Sequence, residues 1–365
     1  MNDLLYQIAL TQVPLVGAVT ARNLVSYCGG AREVFEASKK QLLRVPGIGE
    51  RIVEAILQKD YFDAAEAELA FIEQHGIQTF FYLDKNYPDR LRHFPDSPVM
   101  LYYKGEASLN APRIVGIVGT RQPTVHGIGI CEELVEGLAN YNVMIISGLA
   151  LGIDATAHRK SVETNQQTIG VLGHGLSRIY PYRHRHLAEQ MLAGGGGLLT
   201  EFGHKEEPDR EHFPMRNRII AGLCDALIVV ETALRGGSVI SANYANEYNK
   251  DVFAVPGRLR DKLSQGCNHL IKTHRAALIE SAADVAYTMR WEETVTKKGV
   301  QQELFVELSD REKAVIDLLG KNETMGIDQL VYEGQLSNSE MASLLLELEF
   351  KGMVKTLPGK RYVLG

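Results

Sequence analysis

Six short apolar runs punctuate the middle of the chain: RIVGIVG (113–119), VMIISG (143–148), TIGVLG (168–173), GLLTE (197–201), ALIVVE (226–231) and DVFAVPG (251–257). They are rich in β-branched residues and do not alternate with polar ones, the pattern of strands buried on both faces. Stretches of helical periodicity separate them. The runs therefore predict a mostly parallel, doubly wound sheet, an extended Rossmann-like α/β domain over residues 76–290. Residues 1–75 read as an all-α domain, and residues 305–365 as helices closed by a basic, glycine-containing end, the order of a winged helix. The polar, aperiodic stretch 291–304 reads as a linker. The Pro- and Tyr-rich segment 81–112 is expected to pack irregularly against the middle domain.

In the N-terminal domain, Pro46, Gly47, Ile48 and Gly49 break one helix and start another. Glycines there let backbone N–H groups approach a phosphate at a helix N-terminus, and the spacing resembles a SAM-like helix-hairpin-helix. Pro14 and Gly17 repeat Pro46 and Gly49, with Leu15 in place of the first glycine, so that copy reads as a packing partner. Gly47 and Gly49 either make an accessory contact to DNA backbone or only shape the turn.

In a doubly wound sheet the C-terminal ends of the strands share one edge, and ligands bind there. The residues at those ends are accordingly informative: Gly119, Thr120 and Arg121; Ser147 and Gly148; Gly173, Gly175, Tyr180, Arg183 and Arg185; Phe213, Arg216, Asn217 and Arg218; Arg235, Gly236, Gly237 and Ser238. Small residues leave N–H groups bare, and arginines add forked donors for phosphate oxygens. Arg216 and Arg218 crowd the mouth of one helix, which calls for an anion: a phosphate, a carboxylate of Glu201 or Glu231, or both together. Tyr180, Tyr182 and Phe213 either stack on bases or line the wall. Asp154 and His158, four apart on one helix, read as a helix-start acid and a hydrogen-bonded histidine, in preference to an acid/base pair or metal ligands.

Composition narrows the classes. With 365 residues, 45% of them hydrophobic, the chain can bury two or three cores. Neither a membrane-length apolar stretch nor a signal-type leader is present, so the cytoplasm is the expected location and no membrane partner is expected. Cys28, Cys131, Cys224 and Cys267 lie too far apart for a zinc knuckle and read as reduced, mostly buried thiols. The net charge of −6 argues against a nucleic-acid partner at face value. Yet residues 111–290 hold 19 Lys and Arg against 18 Asp and Glu, while residues 302–365 hold 7 against 11. The first strand end lacks G-x-G-x-x-G, the second lacks an acid for a ribose, and no P-loop motif exists, so no nucleotide cofactor and no metal are expected.

SGLALGIDATAH, TIGVLGHGLSRIYP, FPMRNRIIAGL, GGSVISANYA and DVFAVPG, in this order, resemble the DNA-processing protein A (DprA, or Smf) family over residues 80–290. The resemblance implies a homodimeric protein without catalytic activity. Such a protein binds single-stranded DNA, protects incoming DNA in bacterial transformation and loads the RecA recombinase. It places a phosphate on Gly119, Thr120 and Arg121, and matches Phe213–Ile220 to the family's F-P-x-R-N-R-I-I. Gly236, Gly237 and Ser238 stand at the family's S-G-[SA] turn, with Gly236 where Ser is usual. His184 occupies the place of an Asn and Tyr182 that of a Lys, a departure for which Arg183 and Arg185 supply charge.

Two rival classes stay in view. A nucleotide-cleaving phosphoribohydrolase would need a catalytic Glu six residues past the second glycine of RGGS, where this chain has Asn243. A transcription regulator would read duplex DNA through the winged tail, in which Ser309 reads as a helix N-cap. Its third helix, over residues 337–350, offers Glu340, Glu347 and Glu349, and only Lys351, Lys355, Lys360 and Arg361 at the wing are basic. Base-edge readers are Arg, Lys, Asn or Gln, so this tail is expected to contact protein, or DNA backbone weakly.

Overall fold

All six apolar runs become strands of one sheet. The computed structural model describes residues 3–58, 61–293, 309–321, 324–351, 353–357 and 361–364. Its strands are β1 (Gln78–Phe81), β2 (Met100–Gly105), β3 (Ile114–Val118), β4 (Met144–Ser147), β5 (Thr168–Val171), β6 (Gly197–Thr200), β7 (Ala226–Val229), β8 (Asp251–Ala254) and β9 (Ala277–Leu278). They are ordered β1-β2-β6-β5-β4-β3-β7-β8-β9. From β3 to β9 the strands run parallel, and β2 and β1 add antiparallel at the β6 edge. The segment 81–112 thus contributes sheet where irregular packing was expected. Tyr102 and Tyr103 pair with Thr200 and Leu199, so its aromatics continue the ladder.

β3 is central, with Gly116 paired to Ile146 of β4 on one side and Leu227 of β7 on the other. From β3 the chain winds out through β4, β5 and β6, then returns to β7 on the opposite flank. Alternate residues of β3 enter two cores. Ile114 and Val118 meet Ile146, Leu227 and Ile219 on one face; Val115 and Ile117 meet Ile145, Ile228 and Leu134 on the other. Both faces are covered by helices, which is why the runs show no polar alternation.

The helices from Asp3–Gln12 to Phe62–His75 share a core with Phe81, Val99, Met100 and Tyr102, and with the sheet they form one compact unit, Met1–Val295. Gly47 sits at φ +79 with open space where a Cβ would stand, and Gly49 is equally open. Leu15 keeps the left-handed turn at φ 68 although it is not glycine, the backbone signature of the repeat seen in the sequence.

In the second unit, Thr296–Gly365, helices Asp310–Lys321, Ile327–Gly334 and Asn338–Phe350 surround Val315, Leu319, Leu330, Met341 and Leu345. Strands β10 (Met325–Gly326), β11 (Val354–Leu357) and β12 (Arg361–Leu364) complete a winged helix. Ser309 caps the first helix through a reciprocal bond with Glu312. Lys351 is drawn onto the same Glu312, so one of the four wing bases is already paired. Lys360 and the linker residues 294–304 lie outside the described residues. Among the described residues no helix is long and apolar enough to cross a membrane.

Burial sets the protonation of three histidines. His158 donates Nδ1–H to Thr168 Oγ1 at 2.7 Å, since that hydroxyl already donates to Ile145, and desolvation pushes its pKa from 6.5 down to about 3. His174 and His184 are lowered by burial too. Between these limits the unfolded chain binds protons that the folded chain refuses, so stability rises with pH across that window. Urea midpoints are expected to fall steadily from about pH 6.5 towards pH 4, and His158→Asn to flatten the slope. An unchanged slope in that variant would show that His158 does not dominate the acid limb.

Candidate nucleic-acid interface

The reversal of winding between β3 and β7 opens a crevice beyond their C-terminal ends. A trough of about 720 Å³ fills it. Gly119, Thr120 and Arg121 follow β3 on one wall. Phe213, Arg216 and Asn217, from the helix His212–Leu223, stand opposite. Gly236, Gly237 and Ser238 start the helix Gly237–Glu247 after β7, and Tyr180 reaches in from the loop after β5.

Local hydrogen bonds stiffen the first wall. Thr120 N–H continues the ladder onto Glu231 O at 2.7 Å. Thr124 caps the helix Val125–Ala139 by accepting the Gly127 N–H at 3.0 Å, and its own N–H and hydroxyl bind the Glu231 carboxylate at 2.9 and 2.6 Å. Glu231 is thereby committed to Thr124 and not to an arginine. Arg121 is exposed, forms no ion pair among the described residues, and lies 5.3 Å above the Phe213 ring. Tyr180, half-exposed, is tilted against Phe213 at 5.9 Å between centroids. A guanidinium and two rings thus share one solvent-facing surface.

Arg216 is different. Its side chain is buried, and Nη1 donates to Val171 O at 2.9 Å while Nε finds no protein partner. Burial lowers its pKa to about 10, against the opposing pull of Asp154 and with a further push from Arg121, so it remains a cation at neutral pH. Asp154 sits in the first turn of its helix and accepts the Gly148 N–H at 3.2 Å. Desolvation raises the Asp154 pKa, and Arg216 opposes this most strongly. Ser238 Oγ, also buried and lining the trough, likewise lacks a partner. The helix that begins at Gly237 has no side-chain cap. Two buried donors and an uncapped helix start therefore converge on one cavity.

The remaining expected site residues lie outside the trough lining. Arg218, read as a phosphate donor, is held by Glu201 through Nη2 at 2.5 Å, with both side chains largely buried and Nη1 left without a protein partner; the ion-pair reading of that residue is the one seen. Gly148 lacks a side chain because a Cβ would fall 1.5 Å from Arg216 Nη1. At Gly173 a Cβ would press on Phe213, and at Gly175 it would meet Gly203 O at 2.1 Å. Ser147 spends its hydroxyl on Ile117 O. Arg183 is exposed outside the trough, and Arg185 pairs with Glu189 at 3.0 Å. His184, at the place of the family's Asn, is buried against Leu149 O. Gly47 and Gly49 lie in the N-terminal helices, away from this cavity. Sequence reasoning missed Arg210, Thr232 and Ser241, all of which line the trough. Arg210 was legible only as a base in the acidic stretch EEPDRE.

Comparison with known proteins bears on this arrangement. DNA recombination-mediator protein A matches residues 78–290, the DprA winged helix domain residues 305–360, and a SAM-like helix-hairpin-helix tandem residues 8–59. The chain is 33% identical over 396 residues to Protein Smf of Synechocystis sp., covering 98% of each. It is 40% identical over 231 residues to DNA processing protein DprA of Streptococcus pneumoniae, covering 63% of this chain and 80% of that one. The crystal structure of DNA processing protein A from Streptococcus pneumoniae superposes with a TM-score of 0.68 at 34% identity, over 80% of this chain and 99% of that one. DNA processing protein A from Helicobacter pylori, described for its single-stranded DNA binding mode, gives 0.53 at 30% identity, over 59% and 97%.

The two classes of arginine should separate in stability measurements. Arg218→Ala leaves the Glu201 charge buried and unpaired and is expected to cost about 3–5 kcal/mol in urea unfolding. Arg121→Ala, at an exposed residue, should stay within about 0.5 kcal/mol of wild type. Similar costs for both would contradict the division.

Proposed function

The chain belongs to the DNA recombination-mediator protein A family, and on that premise we propose that its trough binds single-stranded DNA without sequence preference. The observation that carries the reading is Arg121 over Phe213, beside Tyr180, above two buried donors with no protein partner. An unpaired guanidinium attracts phosphate in a forked geometry. An uncapped helix start adds N–H donors and a positive dipole end. The half-exposed Tyr180 ring and the partly buried Phe213 ring beside it accept any base, because every base has a π-face, at about 1–3 kcal/mol per stacked base. A duplex hides those faces; a single strand presents them.

Arg121, Arg216, Asn217, Gly236, Gly237 and Ser238 are the proposed phosphate contacts, and Tyr180 and Phe213 the stacking platform. Arg183 and Gly47 with Gly49 would extend the path outside the cavity. The protein acts by holding the strand, with no chemistry of its own: Asn243 supplies no carboxylate for glycosidic cleavage, and Asp154 is spent on Gly148 and on balancing Arg216. From family membership we further infer that a cytoplasmic homodimer shields incoming DNA in transformation and loads RecA onto it. The helix Asn338–Phe350 of the winged unit exposes Glu340, Glu347 and Glu349 and no base, which supports a protein contact in preference to base reading.

Titration of oligo-dT at several salt concentrations tests the reading. Wild type is expected to bind with a steep salt dependence, and Arg121→Ala to lose at least tenfold in affinity together with about 0.7 of the log–log slope, the share of one phosphate on a single strand. Phe213→Ala should weaken binding with the slope kept, since stacking releases no counterions. Wild-type affinity in Arg121→Ala would put the DNA elsewhere. For the finer role, the chain is expected to speed RecA assembly on a strand pre-coated with single-strand-binding protein; no acceleration would remove RecA loading.

A further inference from the structure

One carboxylate from the N-terminal helices grips the sheet domain. Glu68, in the helix Phe62–His75, is 4% exposed, and its two oxygens accept the His204 backbone N–H at 3.0 and 2.8 Å. Oε2 also binds His204 Nδ1 at 2.7 Å. Phe71 stacks on the His204 ring, 4.3 Å between centroids and 12° between planes. Gly203 must be small here, because its Cβ would stand 2.9 Å from the carboxylate.

The carboxylate holds the start of the loop after β6, and that loop carries Arg210 into the trough. From the same point the grip reaches the loop after β5. Ser177 Oγ donates to His204 O at 2.5 Å, and Gly175 N–H donates to Glu206 O at 3.0 Å. That second loop carries Tyr180. Leu176 between them packs against the N-terminal core. Charge-assisted bonds that are shielded from water are the stiff ones, and a loop ordered before the ligand arrives does not have to be ordered by it.

We infer that Glu68, itself outside the trough, is a positioning residue for DNA binding. Through His204 it delivers Arg210, and through Ser177 it delivers Tyr180, so the N-terminal helices set the shape of two trough walls. The inference rests on the trough being the DNA site.

The test is a double-mutant cycle read by oligo-dT affinity, with thermal unfolding recorded alongside. Glu68→Ala is expected to weaken binding about tenfold and to lower the salt slope by about 0.7. Arg210→Ala should do the same, and the double variant should fall well short of the product of the two losses. Glu68→Gln, which keeps an oxygen for the His204 N–H, should recover most of the affinity. If Glu68→Ala folds poorly, His204→Phe carries the test: it keeps the stack on Phe71, loses Nδ1, and should weaken binding about threefold. Wild-type affinity in a folded Glu68→Ala or His204→Phe protein, or losses that multiply fully with Arg210→Ala, overturns the inference while the trough stands. Failure of wild type to bind oligo-dT strikes the trough reading, and this inference with it.

Discussion

A buried guanidinium is expensive, and the floor of the trough is organised around making one tolerable. Arg216 lies beneath the strand ends with a single backbone acceptor, Val171 O, and a carboxylate neighbour, Asp154, that offsets part of its desolvation. Its Nε has no protein partner, and a buried charge left partly unsatisfied is unfavourable. An anion entering the cavity would relieve it. The same requirement explains residues that touch no ligand: Gly148 leaves the space that Nη1 occupies, and its N–H steadies Asp154.

Around that floor the arginines divide by what they face. Arg218 spends Nη2 on Glu201, so it holds the helix His212–Leu223 to the end of β6, while its buried Nη1 has no protein partner. Arg121 meets solvent and an aromatic face. Its charge is screened by salt and is not committed to a carboxylate among the described residues. Two arginines of one motif, Arg216 and Arg218, therefore have different partners.

The N-terminal helices bear on the site mechanically. Their core merges with the β1–β2 hairpin, and Glu68 reaches past it to His204. Nothing in the spacing of the hairpin glycines hints at this, since the contact joins residues 136 positions apart. The winged unit contrasts in charge: its third helix, Asn338–Phe350, exposes glutamates, and Lys351 is paired with Glu312.

Much of the architecture was legible in the chain because both-face burial leaves a local mark: six apolar runs without alternation, each trailed by small residues and arginines. That small residues and arginines would gather on one edge shared by the strand ends, Arg121, Phe213 and the Gly236–Ser238 turn among them, came from this pattern, from doubly wound topology and from the family resemblance; that the cavity lies where β3 and β7 diverge came from the structure. The antiparallel hairpin was not legible, since tyrosines and prolines in 81–112 suit loops as well as edge strands. Nor were the partners of the charges. Whether a guanidinium faces water, a carbonyl or a carboxylate depends on which strand ends are neighbours. Glu201 rather than Glu231 holds Arg218 because β6 ends beside that helix while Glu231 is taken by Thr124. Likewise a glycine in a motif announces only that space is needed; the tertiary structure decided that Gly148, Gly173 and Gly175 yield it to protein atoms. Local sequence encodes propensity and burial, which act over a few residues, whereas electrostatic pairing acts through space between segments that only the completed sheet brings together.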